Sequence, residues 1–284
     1  MVYFKLVLVA LFWAGTFIAT RMAAQVFGPF TGASFRYVIA LILMIPLSLA
    51  QDKNFFRITR AQLFQVFLLG LTGIFGYSFF FFNGMKLVPA SHGALLVALN
   101  PAFVMVLTAW HSKKKIGNWK LLGLVLSLIG VVIVISRGNY SNIFSNFQWG
   151  DAFMLGCPVT WALYTFFAGS ALKSIKPLQA ATWATLTGWI MILLFVPFEP
   201  FPSTVAPEIW MAVSYLGIFG TVLGFVWYYE GIQKIGALKT SVFNNLIPVF
   251  ALALSVLVLG EHLEPSTIWG AGFVITGVVI INRM

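Results

Sequence analysis

Charge is what this sequence has least of. Only 8% of its 284 residues are Asp, Glu, Lys or Arg, where soluble domains carry about 25%. So few charges cannot cover a water-facing surface, and an ordinary soluble domain is excluded. Cysteine is scarcer: Cys157 stands alone, so no disulfide scaffold can form. The three histidines (His92, His111, His262) are scattered, and no His/Cys/Asp/Glu group has metal-ligand spacing. There is no phosphate loop of the G-x-x-x-x-G-K-[ST] type, so nothing suggests ATP hydrolysis by this chain. No catalytic cluster, cofactor or metal is expected. Acids number seven, and none falls clearly mid-way along an apolar run. An obvious proton relay or acidic cation site is therefore missing.

What the chain has is apolar length. Sixty per cent of it is hydrophobic. Apolar runs fall at about 4–22, 31–50, 62–82, 90–110, 119–136, 150–171, 178–197, 208–229, 237–259 and 266–282. Each approaches the roughly 20 residues that a membrane helix needs. Turn-rich or charged breaks divide them, such as Phe27-Gly28-Pro29, Asp52-Lys53-Asn54, Lys113-Lys114-Lys115 and Glu199-Pro200-Phe201-Pro202. The alternation and short length of barrel strands are absent. The fold class predicted is an all-α integral membrane protein with ten transmembrane helices, and no residues are left for a soluble domain.

The net charge of +10 could suggest nucleic acid until the charges are placed. With the N-terminus cytoplasmic, one face collects Lys5, Lys53, Arg57, Arg60, Lys113, Lys114, Lys115, Lys120, Lys173, Lys176, Lys234, Lys239 and Arg283. The other collects Arg21, Lys86 and Arg137, with most of the acids, Asp151, Glu199, Glu208, Glu261 and Glu264 among them. This is the bias that orients multi-pass proteins. It predicts both termini cytoplasmic, a lipid bilayer as partner and no nucleic acid.

The sequence also repeats itself. At an offset of 148, Trp13-Ala14 meets Trp161-Ala162, Pro29 meets Pro177 and Ala33 meets Ala181. At an offset of 147, Gly70, Gly73 and Gly84 meet Gly217, Gly220 and Gly231; Pro101 meets Pro248; Gly123 and Gly130 meet Gly270 and Gly277. The units are predicted as residues 1–141 and 148–284, so the first run is expected to be kept rather than cleaved as a signal peptide. Five helices per unit is an odd number, so the second unit must enter the membrane from the opposite side. Two inverted five-helix repeats around a central cavity are a recurrent build of secondary transporters.

At this point the sequence resembles the drug/metabolite transporter superfamily, in particular its ten-helix EamA-type exporters. The resemblance covers the whole chain. It rests on Phe12-Trp13-Ala14, Phe35-Arg36-Tyr37, Asn83-Gly84 to Pro89-Ala90, Leu99-Asn100-Pro101, Tyr229-Glu230-Gly231, Ile247-Pro248-Val249, Leu259-Gly260-Glu261 and the closing Gly270 to Asn282. The chain departs from the family at Trp110-His111-Ser112, where an acid matching Glu261 is often found. The resemblance implies a metabolite carrier, often an amino-acid or toxic-metabolite exporter, in an inner membrane.

Candidate cavity residues follow from membrane energetics. Pro101 and Pro248 each remove a backbone donor in equivalent helices and free the carbonyls of Val97 and Asn244. Asn100, Asn244 and Asn245 add amides beside them. Arg36 lies a few residues inside its run, where a charge is costly unless it pairs or meets water. It is read as an anion handle, a snorkelling charge or a tie to helix-end carbonyls. Trp13 and Trp161 are repeat equivalents, as are Thr16 and Tyr164. Tyr77, Phe81, Trp183 and Tyr228 offer further aromatic surface, which suits apolar groups and ammonium ions. Glu230 either caps a turn, the favoured reading, or pairs with Lys234 or Lys239. The glycine-spaced faces of the fifth and tenth runs suit packing on each other or a homodimer.

The function expected is secondary transport, by alternating access, of small metabolites, with export of amino acids or related amphipathic compounds favoured. The alternative within the superfamily is a phosphorylated-sugar or nucleotide-sugar exchanger, which would need several cavity cations where only Arg36 offers itself. A passive channel and a membrane-embedded enzyme rank below both.

Overall fold

In the computed structural model, residues 1–53, 55–113, 116–137, 147–235, 240 and 242–283 are described. Lys114, Lys115, Lys239 and the junction between the predicted units lie outside them. The described residues are helical almost throughout and hold no strand. Eight helices are long and apolar enough to cross a membrane: α1 Val2–Ala24, α2 Pro29–Gln51, α3 Arg60–Leu87, α4 Ala90–His111, α5 Asn118–Ser136, α6 Trp149–Ala171, α7 Pro177–Phe198 and α8 Pro207–Gly231. Two shorter apolar helices follow, α9 Phe243–Leu259 and α10 Pro265–Ile281. Helices are the local solution because lipid offers backbone groups no partners.

Local chemistry sets the ends. Proline opens α2, α7 and α8, where its missing N–H costs nothing. Thr59 and Gln62 close a capping box on α3. Gly260, at φ 64°, ends α9 in the left-handed region that glycine enters without strain.

Four helices are irregular, in repeat-related pairs. The middle of α3 is a π-helix, Gly70–Gly76, and so is the middle of α8, Leu216–Leu223. The first segment of α4 stops at Val97 and the helix resumes at Asn100. A 3₁₀ turn, Val242–Asn245, opens α9 before Leu246–Leu259. The π-segments contain the paired glycines, and the breaks in α4 and α9 precede the paired prolines.

The packing obeys an inverted two-fold. A Cβ on Gly70 would lie 2.8 Å from the carbonyl oxygen of Ala184 in α7. A Cβ on Gly217 would lie 2.9 Å from that of Arg36 in α2. Ala184 and Arg36 are themselves repeat partners, so each unit's third helix seats its π-segment on the other unit's second. In the same way Gly73 receives Tyr164 and Gly220 receives Thr16. Helices α5 and α10 pair with each other: a Cβ on Gly123 would meet Gly277 O at 2.7 Å, and one on Gly130 would meet Gly270 O at 2.7 Å. These glycines are thus occupied within one chain. A homodimer through the same helices would use their outward apolar residues, such as Leu121, Leu128, Ile268 and Trp269.

Candidate substrate cavity

Seven helices, α1 to α4 in the first unit and α6, α8 and α9 in the second, surround a cavity of about 60 Å³. Eight of the residues singled out in the sequence line it: Trp13, Thr16, Arg36, Tyr77, Phe81, Asn100, Trp161 and Asn244. A smaller cavity of about 30 Å³ adjoins it between α4 and α9. There Pro101, Asn245 and Pro248 join Asn100 and Asn244. The helix breaks therefore sit at cavity walls, where irregular backbone is tolerated at membrane depth.

Three of the singled-out aromatics do not line either cavity. Tyr164 stands behind Trp161, their ring centres 5.4 Å apart, and shares a short hydroxyl–hydroxyl hydrogen bond with Tyr229. Tyr228 packs 5.0 Å from the Trp13 ring and accepts a hydrogen bond from Asn244 Nδ2 at 3.4 Å. Trp183 lies apart, at the connection between α2 and α3. Its indole N–H donates to Phe55 O at 3.2 Å and its ring stacks on Phe55. Conversely, Phe17, Tyr37, Gly73, Phe225 and Ile247 line the main cavity without having been read as cavity residues, and Val97, named only for its carbonyl, lines it too. Tyr37 was within reach, as the residue after Arg36 in Phe35-Arg36-Tyr37.

Arg36 gives the cavity its charge. It is 7% exposed. Its Nε donates to Thr221 Oγ1 at 2.9 Å, and its guanidinium carbon sits 5.2 Å from the centre of the Tyr37 ring. Thr221 Oγ1 in turn donates to Leu216 O at 2.9 Å, five residues back across the π-segment. Among the described residues no carboxylate pairs with Arg36. The other wall is aromatic and interlocked. The Trp13 indole N–H donates to Gly220 O at 3.1 Å, and Trp13 meets Trp161 edge to face at 5.9 Å. Trp161 meets Tyr77 at 5.7 Å.

Three acids tie elements together that the sequence reading did not connect. Asp151, read from the sequence as an acid on the outer face at the start of its run, is fully buried at the start of α6. Its carboxylate meets His92 Nε2 at 2.7 Å, Gln148 N at 2.9 Å and Arg137 Nη2 at 3.2 Å. Three partners neutralise it, so burial is affordable where the sequence alone showed a helix-end acid. Glu230, expected to cap a turn, accepts from Lys5 Nζ at 2.7 Å and lies 3.6 Å from Lys234 Nζ. Lys5 comes from α1, far away in sequence. Glu261 accepts from Ala90 N at 2.7 Å, Ser91 N at 3.1 Å and Ser91 Oγ at 2.7 Å, tying the α9–α10 connection to the start of α4. Among the described residues no group of three His, Cys, Asp or Glu side chains could hold a metal ion.

Comparison with known proteins places this geometry in context. A model of the EamA-like transporter family matches residues 1–136 and again residues 148–283. An "Uncharacterized transporter" of Archaeoglobus fulgidus is 31% identical, over 98% of this chain and 97% of its own length. The "Uncharacterized transporter YyaM" of Bacillus subtilis is 29% identical, over 98% and 92%. A "Probable terminal-alkyne amino-acid exporter" of Streptantibioticus cattleyicolor is 26% identical, over 98% and 92%. A solved crystal structure shares the fold with a TM-score of 0.69 at 21% identity, over 98% of this chain and 95% of the other.

Proposed function

The chain belongs to the EamA-like transporter family, and from that premise we propose that it carries small carboxylate-bearing metabolites, amino acids foremost, by alternating access between its two repeats. It is a multi-pass membrane transporter and not an enzyme. The observation that carries the substrate reading is Arg36: a buried guanidinium, unpaired by any described carboxylate, in an otherwise aromatic and amide-lined cavity. A permanent charge at membrane depth without a protein counter-ion marks a ligand site. A carboxylate would complete it, and the Trp13–Trp161–Tyr77 wall suits an apolar side chain. Among the described residues Arg36 is the one cation lining the main cavity. That favours a single carboxylate over the multiply charged phosphates of a sugar-phosphate or nucleotide-sugar exchanger. The name of the Streptantibioticus relative points the same way.

A cavity of about 60 Å³ holds roughly four waters at most. An amino acid needs the repeats to move apart, as a rocking carrier requires and a fixed pore does not. Export across an inner membrane, with both termini cytoplasmic, completes the proposal.

The test is counterflow in proteoliposomes with a panel of labelled amino acids and sugar phosphates. Saturable exchange of an amino acid is expected, with Arg36→Gln losing it while Trp161→Ala weakens it. Non-saturating flux, or full exchange by Arg36→Gln, would sink the assignment. Reporter fusions in the 111–118 connection test the orientation, and an outside signal there reverses it.

A further inference from the structure

Among the described residues two buried side-chain polar atoms have no hydrogen-bond partner, Thr20 Oγ1 and Asn100 Oδ1. Thr20 lines neither cavity, whereas Asn100 lines both. Its neighbours along α4 and in the smaller cavity are mostly apolar: Ala94, Val97, Ala98 and Pro101. Buried amides are paired almost without exception, and an orphan in a native fold calls for an explanation. Asn244, the other amide in both cavities, is already tied to Tyr228. Asn100 shares the main cavity with Arg36 and also lines the smaller one.

Among the described residues the lining contains no carboxylate. A substrate ammonium entering here can be met only by neutral acceptors and aromatic faces. The Asn100 carbonyl oxygen is an acceptor with nothing to accept from, and rotation of its amide presents either end to the cavity. Trp13, Trp161 and Tyr77 supply the π faces within the same space. We propose that Asn100 reads the α-ammonium of a zwitterionic amino acid whose carboxylate lies on Arg36, so that the carrier selects the amino group as well as the acid. This rests on the carboxylate reading of Arg36 and narrows it: a free amino acid is preferred over the same molecule without its amino group. Substrates with cationic side chains are disfavoured, because the cavity has no acid to receive a second positive charge.

The test is competition in counterflow. Labelled phenylalanine, or leucine if its signal is larger, is displaced by the unlabelled amino acid or by its des-amino analogue, 3-phenylpropionate or 4-methylpentanoate. A hydrogen bond to a charged group corresponds to about tenfold or more in affinity. The wild-type protein is expected to favour the amino acid over the analogue by that factor, and Asn100→Leu to bring the ratio close to one. The Asn100→Leu protein should melt no lower than wild type, because the amide it loses makes no hydrogen bond. Equal competition by both compounds in the wild type, or an undiminished ratio in Asn100→Leu, overturns the inference and leaves the carboxylate reading standing. A marked fall in melting temperature makes Asn100 structural and overturns it too. If neither compound competes and no amino acid is exchanged, both readings fall together.

Discussion

Arg36 is held by one hydrogen bond to Thr221, and that bond depends on a backbone irregularity. Thr221 Oγ1 reaches back to Leu216 O only because the helix is π-wound there. The repeat-related positions carry no such polar pair. The partner of Arg36 is Ala184 and the partner of Thr221 is Ile74. Two departures from the repeat therefore meet each other in space. Thr221→Val keeps the shape and removes the acceptor. The lost charge-assisted bond amounts to about 1.5–3 kcal/mol, so KM for an amino acid should rise about tenfold with little loss of protein, and Thr221→Ser should restore it. An unchanged KM would mean that Arg36 is oriented by something else. Asp151 obeys a different logic, because its bonds to His92, Gln148 and Arg137 are structural. Asp151→Ala leaves the buried His92 ring without this hydrogen bond, at about 1–3 kcal/mol for an orphaned buried polar group, and should lower the melting temperature in detergent by several degrees. Asp151→Asn, which can still accept from Gln148 N, should cost less. Arg36 was legible in the sequence because a charge inside an apolar run is conspicuous. Asp151 was not, because an acid at a helix start looks the same whether it faces water or a buried histidine from another helix.

At the scale of the helix, the paired glycines of the two π-segments explain the seating of one unit on the other. Gly70 approaches Ala184 O and Gly188 N, and Gly217 approaches Arg36 O and the Ile39 side chain. A Cβ at Gly70 meets backbone, which cannot step aside. Gly70→Ala and Gly217→Ala should therefore both lower the melting temperature and transport, whereas Gly272→Ala, with open space around it, should be neutral or slightly stabilising, since alanine favours helix by about 1 kcal/mol. A neutral Gly70→Ala in the same melting assay would refute the close seating of α3 on α7. The positions of these glycines and of Pro101 and Pro248 were readable from the repeat. Their effect was not: periodicity cannot distinguish an α-turn from a π-turn, and the helix breaks at 98–99 and 242–245 depend on which neighbours replace the lost backbone bonds. Trp183 fails for a related reason. An aromatic in a membrane helix reads the same whether it turns to a cavity or to a loop, and here the Phe55 carbonyl claims its indole.

At the scale of the whole molecule, carboxylates tie the units together at related places. Glu199 accepts from Phe30 N and Thr31 N at the start of α2. Its repeat partner Asp52 pairs with Lys176 at the start of α7. Glu261 grips the start of α4. The fourth position, the repeat partner of Glu261, is Lys114, which cannot accept from a backbone N–H. The repeat is thus broken in charge at one of four related positions, and in the proposed rocking carrier the clasp at the α4 end is expected to favour one resting state. Asp52–Lys176 is half exposed and contributes little, as surface pairs do. Glu261 bonds backbone donors at a helix start, where charge-assisted hydrogen bonds are about twice as strong as neutral ones. Glu261→Gln weakens that grip without removing the side chain. In a Cys157→Ser background, a cysteine replacing Ala94 in the smaller cavity should react several-fold faster with a hydrophilic maleimide when Glu261→Gln is added, while Asp52→Asn should leave the rate nearly unchanged. Equal rates with Glu261 and Gln would mean that the α4 end is closed by apolar packing, and that the clasp sets neither the resting state nor the direction in which the repeats prefer to open.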